Sequence, residues 1–99
     1  MVFSDWAYYT TRHVRVDDVY GVYQLSTSRK DEAQITYIGY GRLRSELLEY
    51  ILGDPCRSPS MYFRYEKTHS EEEAEKRAEE LLREFEERYG RLPKCNQDQ

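Results

Sequence analysis

The sequence predicts one small α+β domain, in which a three-stranded antiparallel sheet is flanked by helices in the order β-β-α-β-α. Three observations lead to this prediction. The chain has 99 residues, which is enough for one hydrophobic core. Aromatic residues make up 14% of it, so a core can form although only 38% of the chain is apolar. Segments typical of strands alternate with two segments of helical periodicity.

The first two strands are predicted to form a hairpin over about 19–39. Residues 19–25 are rich in the β-branched and aromatic side chains that favour strands. A polar loop at 26–33 separates them from a second apolar stretch at 34–39. Because the two strands have nearly equal lengths and a polar connection, we expect them to pair antiparallel.

A helix, a third strand and a longer helix are predicted to follow. Leucine and isoleucine recur at spacings of three and four over about 42–52, and aromatic residues dominate 61–66. Ser70 and Glu73 have the spacing of a capping box, which predicts a helix from Ser70 to residue 89. The apolar faces of these elements give the expected core: Val22, Tyr37, Leu43, Leu47, Ile51, Phe63, Ala78, Leu81, Leu82 and Phe85.

The acidic charge is concentrated in the last helix. The chain has a formal net charge of −4, yet residues 70–89 hold nine Glu against four basic residues, so the rest of the chain is close to neutral. The composition therefore lacks the general basic character of a nucleic-acid-binding domain. If DNA is the partner, we expect it on the side of Arg42, Arg44 and Arg64 and never on the acidic helix face at 72–87. The alternative is a protein partner.

Cysteine content and hydropathy indicate the expected environment. Cys56 and Cys95 do not form a C-x-x-C motif, and we interpret them as two free thiols, with a single disulfide left open. The sequence has neither 18 consecutive apolar residues nor the pattern of a secretory signal. The expected location is therefore cytoplasmic, without a membrane partner.

Two tripeptides on the paired strands carry a resemblance to a known family. Gly21-Val22-Tyr23 lies on the first strand, Tyr37-Ile38-Gly39 lies on the second, and Pro93-x-x-Asn96 closes the chain. This arrangement resembles the GIY-YIG nuclease domain. The resemblance covers 19–96, which leaves 1–18 as an N-terminal extension and 97–99 as a tail.

The resemblance implies metal-dependent cleavage of a DNA phosphodiester. In that reading Tyr23 helps to activate the attacking water and Tyr37 assists in positioning. An arginine on the first helix would steady the phosphate charge, because a guanidinium binds phosphate oxygens well. A glutamate on the later helix would bind a divalent metal, usually Mg²⁺, which prefers oxygen ligands.

Two positions depart from the family pattern. Glu46 stands three residues after Leu43, where the arginine is expected, so Arg44 or Arg42 would have to substitute for it. Ala78 stands where the metal-binding glutamate is expected, so Glu75 or Glu79 would have to take its place.

Because the two departures occur together, we favour a diverged member of the superfamily that has weak or no nuclease activity and acts as a binding module. The alternative is an active, magnesium-dependent, structure-specific endonuclease that uses Tyr23 and Tyr37. A third reading is an unrelated α+β interaction domain in which the tripeptides are coincidental.

Overall fold

The computed structural model describes residues 2–97 and is built on an antiparallel sheet. In the described residues the sheet has four strands in the order β1-β4-β2-β3, and two α-helices pack on it. The α+β class is confirmed, whereas the prediction of three strands is wrong. The elements are β1 (Ala7–Tyr8), β2 (Tyr20–Ser26), β3 (Ile35–Arg42), α1 (Leu43–Ile51), β4 (Tyr62–Lys67) and α2 (Glu71–Tyr89), with short 3₁₀ turns at Glu32–Gln34 and Lys94–Asn96.

The additional strand comes from the segment assigned to an N-terminal extension, so the observed order is β-β-β-α-β-α. Ala7 pairs with Phe63 and Tyr8 pairs with Tyr62. Two residues are too few to show an alternating pattern, so the sequence left residues 1–16 as either irregular structure or a short strand. Met1, Asp98 and Gln99 lie outside the described residues, so the predicted tail at 97–99 is described only at Gln97.

The predicted hairpin is confirmed. Strand β2 pairs antiparallel with β3 on one side and with β4 on the other, and it places Tyr23 opposite Gly39. As the central strand β2 is buried almost throughout. Alternation along β2 therefore sends Tyr23 and Leu25 to one face of the sheet and Val22 to the other.

Each face of the sheet has its own core. Helix α1 brings Leu43 and Leu47 against the face that carries Tyr23, and α2 brings Ala78 and Phe85 against the opposite face. Among the residues expected in the core, Ile51, Leu81 and Leu82 are only partly buried. The other seven are buried: Val22, Tyr37, Leu43, Leu47, Phe63, Ala78 and Phe85.

Side chains and one glycine define the helix ends. Ser70 accepts a hydrogen bond from the Glu73 N–H at 3.1 Å, which confirms the predicted cap of α2. Gly90 ends α2 in the left-handed conformation at φ 73°. Helix α1 is capped from a distance in sequence, because the Asp18 carboxylate accepts from the Ser45 N–H at 3.0 Å.

A disulfide joins the loop after α1 to the end of the described chain. Cys56 and Cys95 are bonded, with their Cα atoms 5.8 Å apart, so the interpretation as free thiols is wrong. The partners are 39 residues apart in sequence and are brought together only by the fold. Disulfides persist mainly in oxidising compartments, so this bond does not support the predicted cytoplasmic location. The location therefore stays a prediction. None of the helices in residues 2–97 has the length and apolar character needed to cross a membrane.

Candidate functional site

Gly39 allows the two motif tyrosines to meet. A Cβ atom at Gly39 would lie 2.5 Å from a ring carbon of Tyr37 and 2.7 Å from the hydroxyl oxygen of Tyr23. The two rings pack with their centroids 5.9 Å apart. The two tripeptides lie on paired strands as predicted, and a side chain larger than hydrogen at Gly39 would collide with both tyrosine rings.

The Tyr23 hydroxyl is held by a carboxylate. It donates a hydrogen bond to Glu46 Oε1 at 3.1 Å, while the Tyr23 side chain is completely buried. Gly41 admits Glu46 to this position, because a Cβ there would lie 2.9 Å from Glu46 Cγ and the backbone has φ +142°. Such a φ favours glycine strongly. Glu46 therefore lies next to the tyrosine that the family resemblance makes catalytic.

Burial and this contact fix the protonation of the pair. Burial raises the pKa of Tyr23 well above the usual tyrosine value, and the neighbouring Glu46 charge raises it further. Burial also raises the pKa of Glu46, although the hydrogen bond from Tyr23 lowers it in part. Tyr23 is therefore a neutral hydroxyl that donates to Glu46, and it is poorly suited to accept a proton.

The Arg57 guanidinium packs on the ring of Tyr37. The guanidinium carbon is 3.8 Å from the centre of the Tyr37 ring and 4.1 Å from that of Tyr50. The guanidinium also pairs with Asp54, whose carboxylate accepts from the backbone N–H groups of Cys56 and Arg57. The cation nearest the tyrosines thus comes from the loop after α1, and its charge is already balanced by a carboxylate.

Asn96 closes the site from the chain end. Its side chain accepts from the Ile38 N–H at 2.9 Å and donates to the Ile38 carbonyl at 3.0 Å, in the way a neighbouring strand would. The side chain is buried, and Pro93 and Cys95 beside it are buried too. The Pro-x-x-Asn segment therefore covers the edge of β3 next to Gly39.

We expect Asn96→Ala to lower the free energy of unfolding by about 2–4 kcal/mol, because it leaves a buried N–H and a buried carbonyl of Ile38 unpaired. Urea denaturation measures the loss. Gln97→Ala is the control, since Gln97 is exposed and its side chain only donates to the Leu92 carbonyl. Equal stability of the two variants would contradict this role of Asn96.

The predicted arginines lie apart from the tyrosines. Arg42 is ion-paired with Asp18 at 3.2 Å and stacks over Tyr20, and Arg44 is exposed on α1. Arg64 lies on the α2 side of the sheet and pairs with Glu32 at 3.0 Å. Two of these three arginines are therefore already paired with carboxylates.

The predicted metal ligands lie on the other side of the sheet from the Tyr23 ring. Glu75 accepts a hydrogen bond from the Tyr40 hydroxyl at 2.8 Å. Glu75 and Glu79 line a cleft of about 350 Å³ between α2 and the edge of β3, together with Tyr37, Gly39 and Asn96. Within residues 2–97, no three His, Cys, Asp or Glu side chains are grouped so that they could hold a metal ion together.

Sequence reasoning found part of this site. The spacing from Leu43 pointed to Glu46, although only as a departure from the family pattern. Arg57 was not among the site residues predicted from the sequence. Its position between Tyr37 and Tyr50 depends on the path of the loop and on the disulfide, and no local pattern reports either.

Comparison with protein families gives a match over most of the chain. The family described as "Domain of unknown function (DUF7508)" matches residues 3–88. The chain belongs to the DUF7508 family. The matched part of this DUF7508 domain contains Tyr23, Tyr37, Glu46 and Arg57, and Asn96 lies beyond it. No curated protein and no solved structure matches the chain.

The raised pKa of Glu46 makes the stability of this DUF7508 domain depend on pH. Its folded state keeps the Glu46 proton to a higher pH than the unfolded state does, so the contribution of Glu46 to the free energy of unfolding falls as pH rises from the ordinary glutamate value through the folded pKa. We expect Glu46→Gln to remove this fall, and its amide oxygen can still accept from Tyr23. The variant should therefore gain stability over the wild type between acid and neutral pH.

Denaturation at a series of pH values measures the effect. Glu87→Gln is the control, because Glu87 is an exposed glutamate of α2 and is not among the groups that shift the pKa of Glu46. A parallel pH dependence of wild type and Glu46→Gln would contradict the prediction.

Proposed function

We propose that this DUF7508 domain is a GIY-YIG-like domain that no longer cleaves nucleic acid and acts as a binding module. The observation that supports the proposal is the hydrogen bond from the buried Tyr23 hydroxyl to Glu46. The family chemistry needs this hydroxyl to meet a water molecule and a phosphate. Here a carboxylate occupies its hydrogen-bonding direction, and burial keeps solvent away.

Charge supports the same proposal. The transition state of phosphate cleavage is stabilised by concentrated positive charge. A carboxylate at the position of that positive charge repels the phosphate instead. Glu46 puts negative charge next to Tyr23, and the nearby Arg57 is paired with Asp54 and stacked between two rings. A tyrosine that serves as a base needs a lowered pKa, whereas the pKa of Tyr23 is raised by burial and by Glu46.

The endonuclease is the second candidate, because one cleft lies between the YIG-like edge strand and the two carboxylates proposed as metal ligands. Magnesium is often held by one or two carboxylates together with substrate phosphates. However, the positions of Glu75 and Glu79 do not fit the resemblance, in which the bound metal acts together with Tyr23. Both glutamates belong to the helix that packs on one face of the sheet, and the Tyr23 ring and Glu46 lie on the other.

A cleavage assay separates the two candidates. Wild type, Tyr23→Phe and the Glu75→Gln/Glu79→Gln double variant are incubated with branched and linear DNA in the presence of Mg²⁺ or Mn²⁺. We expect no cleavage above the level of Tyr23→Phe, which keeps the ring and removes only the hydroxyl. Nicking by the wild type that disappears in Tyr23→Phe would overturn the proposal, and its disappearance in the double variant as well would establish the metal-dependent nuclease.

A further inference from the structure

One half of the sheet presents aromatic rings to solvent. Helix α2 packs mainly on β2 and β3, which form one half of the sheet, whereas β1 and β4 form the other half. Tyr8 and Tyr62 are directly opposite each other on β1 and β4, with ring centroids 5.5 Å apart. The Tyr8 side chain is 51% exposed, although tyrosines of a small domain usually pack in the core.

The row of rings continues to a histidine at one end and to an arginine at the other. The His13 ring meets Tyr8 edge-on at 5.6 Å, and the guanidinium carbon of Arg29 lies 5.6 Å from the centre of the Tyr62 ring. We call these four side chains, His13, Tyr8, Tyr62 and Arg29, the aromatic platform. Their contacts are continuous from the loop after β1 to the loop between β2 and β3.

The loops beside the platform carry as many acidic as basic residues: Arg12 and Arg15 against Asp17 and Asp18 in loop 9–19, and Arg29 and Lys30 against Asp31 and Glu32 in loop 27–34. Three of the four carboxylates are paired with basic residues outside these loops, because Asp17 pairs with Lys67, Asp18 with Arg42 and Glu32 with Arg64. Among the described residues, none of the four basic side chains of these loops is in an ion pair.

Two of the three arginines predicted to meet DNA differ in this respect. Arg42 is paired with Asp18, and Arg64 is paired with Glu32 and covered by Phe3 and Trp6. Arg44 is exposed on α1 and in no ion pair of the described residues. What distinguishes the platform is unpaired positive charge beside the exposed Tyr8 ring and the partly exposed Tyr62 ring.

We propose that the aromatic platform binds single-stranded nucleic acid, with bases stacking on Tyr8 and Tyr62 and phosphates meeting Arg12, Arg29 and Lys30. Accessible tyrosine rings beside arginine and lysine side chains suit a chain of unpaired bases, because every base offers a flat face and every linkage a negative charge. A duplex hides its base faces and leaves the rings unused. The proposal does not depend on the closed Tyr23 site, so cleavage activity would overturn the proposed function and leave this one standing.

Fluorescence anisotropy with labelled oligothymidine and oligouridine of about twelve nucleotides tests the proposal on the full chain. We expect binding at low salt that weakens steeply as salt is added, because released counterions drive it. Tyr8→Ala should weaken binding about tenfold through the lost stacking. Arg29→Gln should weaken it several-fold and reduce the salt dependence. Comparison of the two oligonucleotides shows whether DNA or RNA is preferred.

Matched controls make the test specific. Tyr40→Ala removes another exposed tyrosine, which lies on β3 and is bonded to Glu75, and Arg83→Gln removes an exposed arginine of α2. Both should leave affinity unchanged. If Tyr8→Ala fails to fold, as judged by circular dichroism, the loop variant Arg29→Gln carries the test. No binding at low salt, equal losses in the controls, or tighter binding of duplex DNA that Tyr8→Ala leaves unchanged would overturn the proposal.

Discussion

Replacing both Cys56 and Cys95 with serine should lower the free energy of unfolding by about 4 kcal/mol. The bond closes a loop of 39 residues, and the loss of loop-closure entropy in the unfolded chain gives a value of this size. The same bond holds the loop that carries Arg57 against the segment that carries Asn96. Chemical denaturation of the oxidised wild type and of the double variant measures the difference.

The reduced wild type is the control for the cysteine substitutions. It should unfold at nearly the same denaturant concentration as the double serine variant, because both lack the covalent link. A thiol titration of the denatured, unreduced protein should find no free thiols. Two titratable thiols, or a stability difference below about 1 kcal/mol, would contradict the structural role of the disulfide.

Gly39→Ala should lower the free energy of unfolding by about 3 kcal/mol, which is the upper part of the range for an overpacked core. The added methyl carbon would lie 2.5 Å from the Tyr37 ring and 2.7 Å from the Tyr23 hydroxyl, and Tyr23 is fully buried, so neither ring has room to move. Thermal and urea denaturation measure the loss. The near-ultraviolet circular dichroism of the tyrosines should change with it.

The chain offers a matched control for this substitution. Gly53 has no atom within 4 Å of the position where a Cβ would be built, and its φ is not positive. Gly53→Ala should therefore be neutral or slightly stabilising, because it only restricts the unfolded chain. If the two alanine variants are equally stable, the close packing of Tyr23, Tyr37 and Gly39 is contradicted.

Periodic and local signals predicted most of the fold. The hairpin, both helices and the capping box at Ser70 depend on neighbours in sequence, and the structure confirms them. The place of β1 in the sheet could not be predicted, because its two residues pair only with a strand more than fifty residues away. The Asp18 cap of α1 and the disulfide also join distant segments, so no local pattern indicated them.

The candidate site was predicted in the same uneven way. The tripeptides placed Tyr23 and Tyr37 on neighbouring strands. The antiparallel pairing of β2 with β3 brings their rings together. The substitutes proposed for the missing arginine, Arg42 and Arg44, followed from closeness in sequence. The structure instead places Arg57 beside Tyr37, from a loop whose path is set by Asp54 and the disulfide.

The most direct test of the account is an NMR titration of the Glu46 side-chain carboxyl carbon in the wild type and in Tyr23→Phe. The central claim is that the Tyr23 hydroxyl donates to Glu46 and is therefore unavailable as a base. The account predicts a Glu46 pKa above the ordinary glutamate value, because the carboxylate is partly buried, and a further rise in Tyr23→Phe, because the hydrogen bond that stabilises the charged form is lost. A Glu46 carboxyl that titrates at the ordinary value and does not respond to Tyr23→Phe would contradict it.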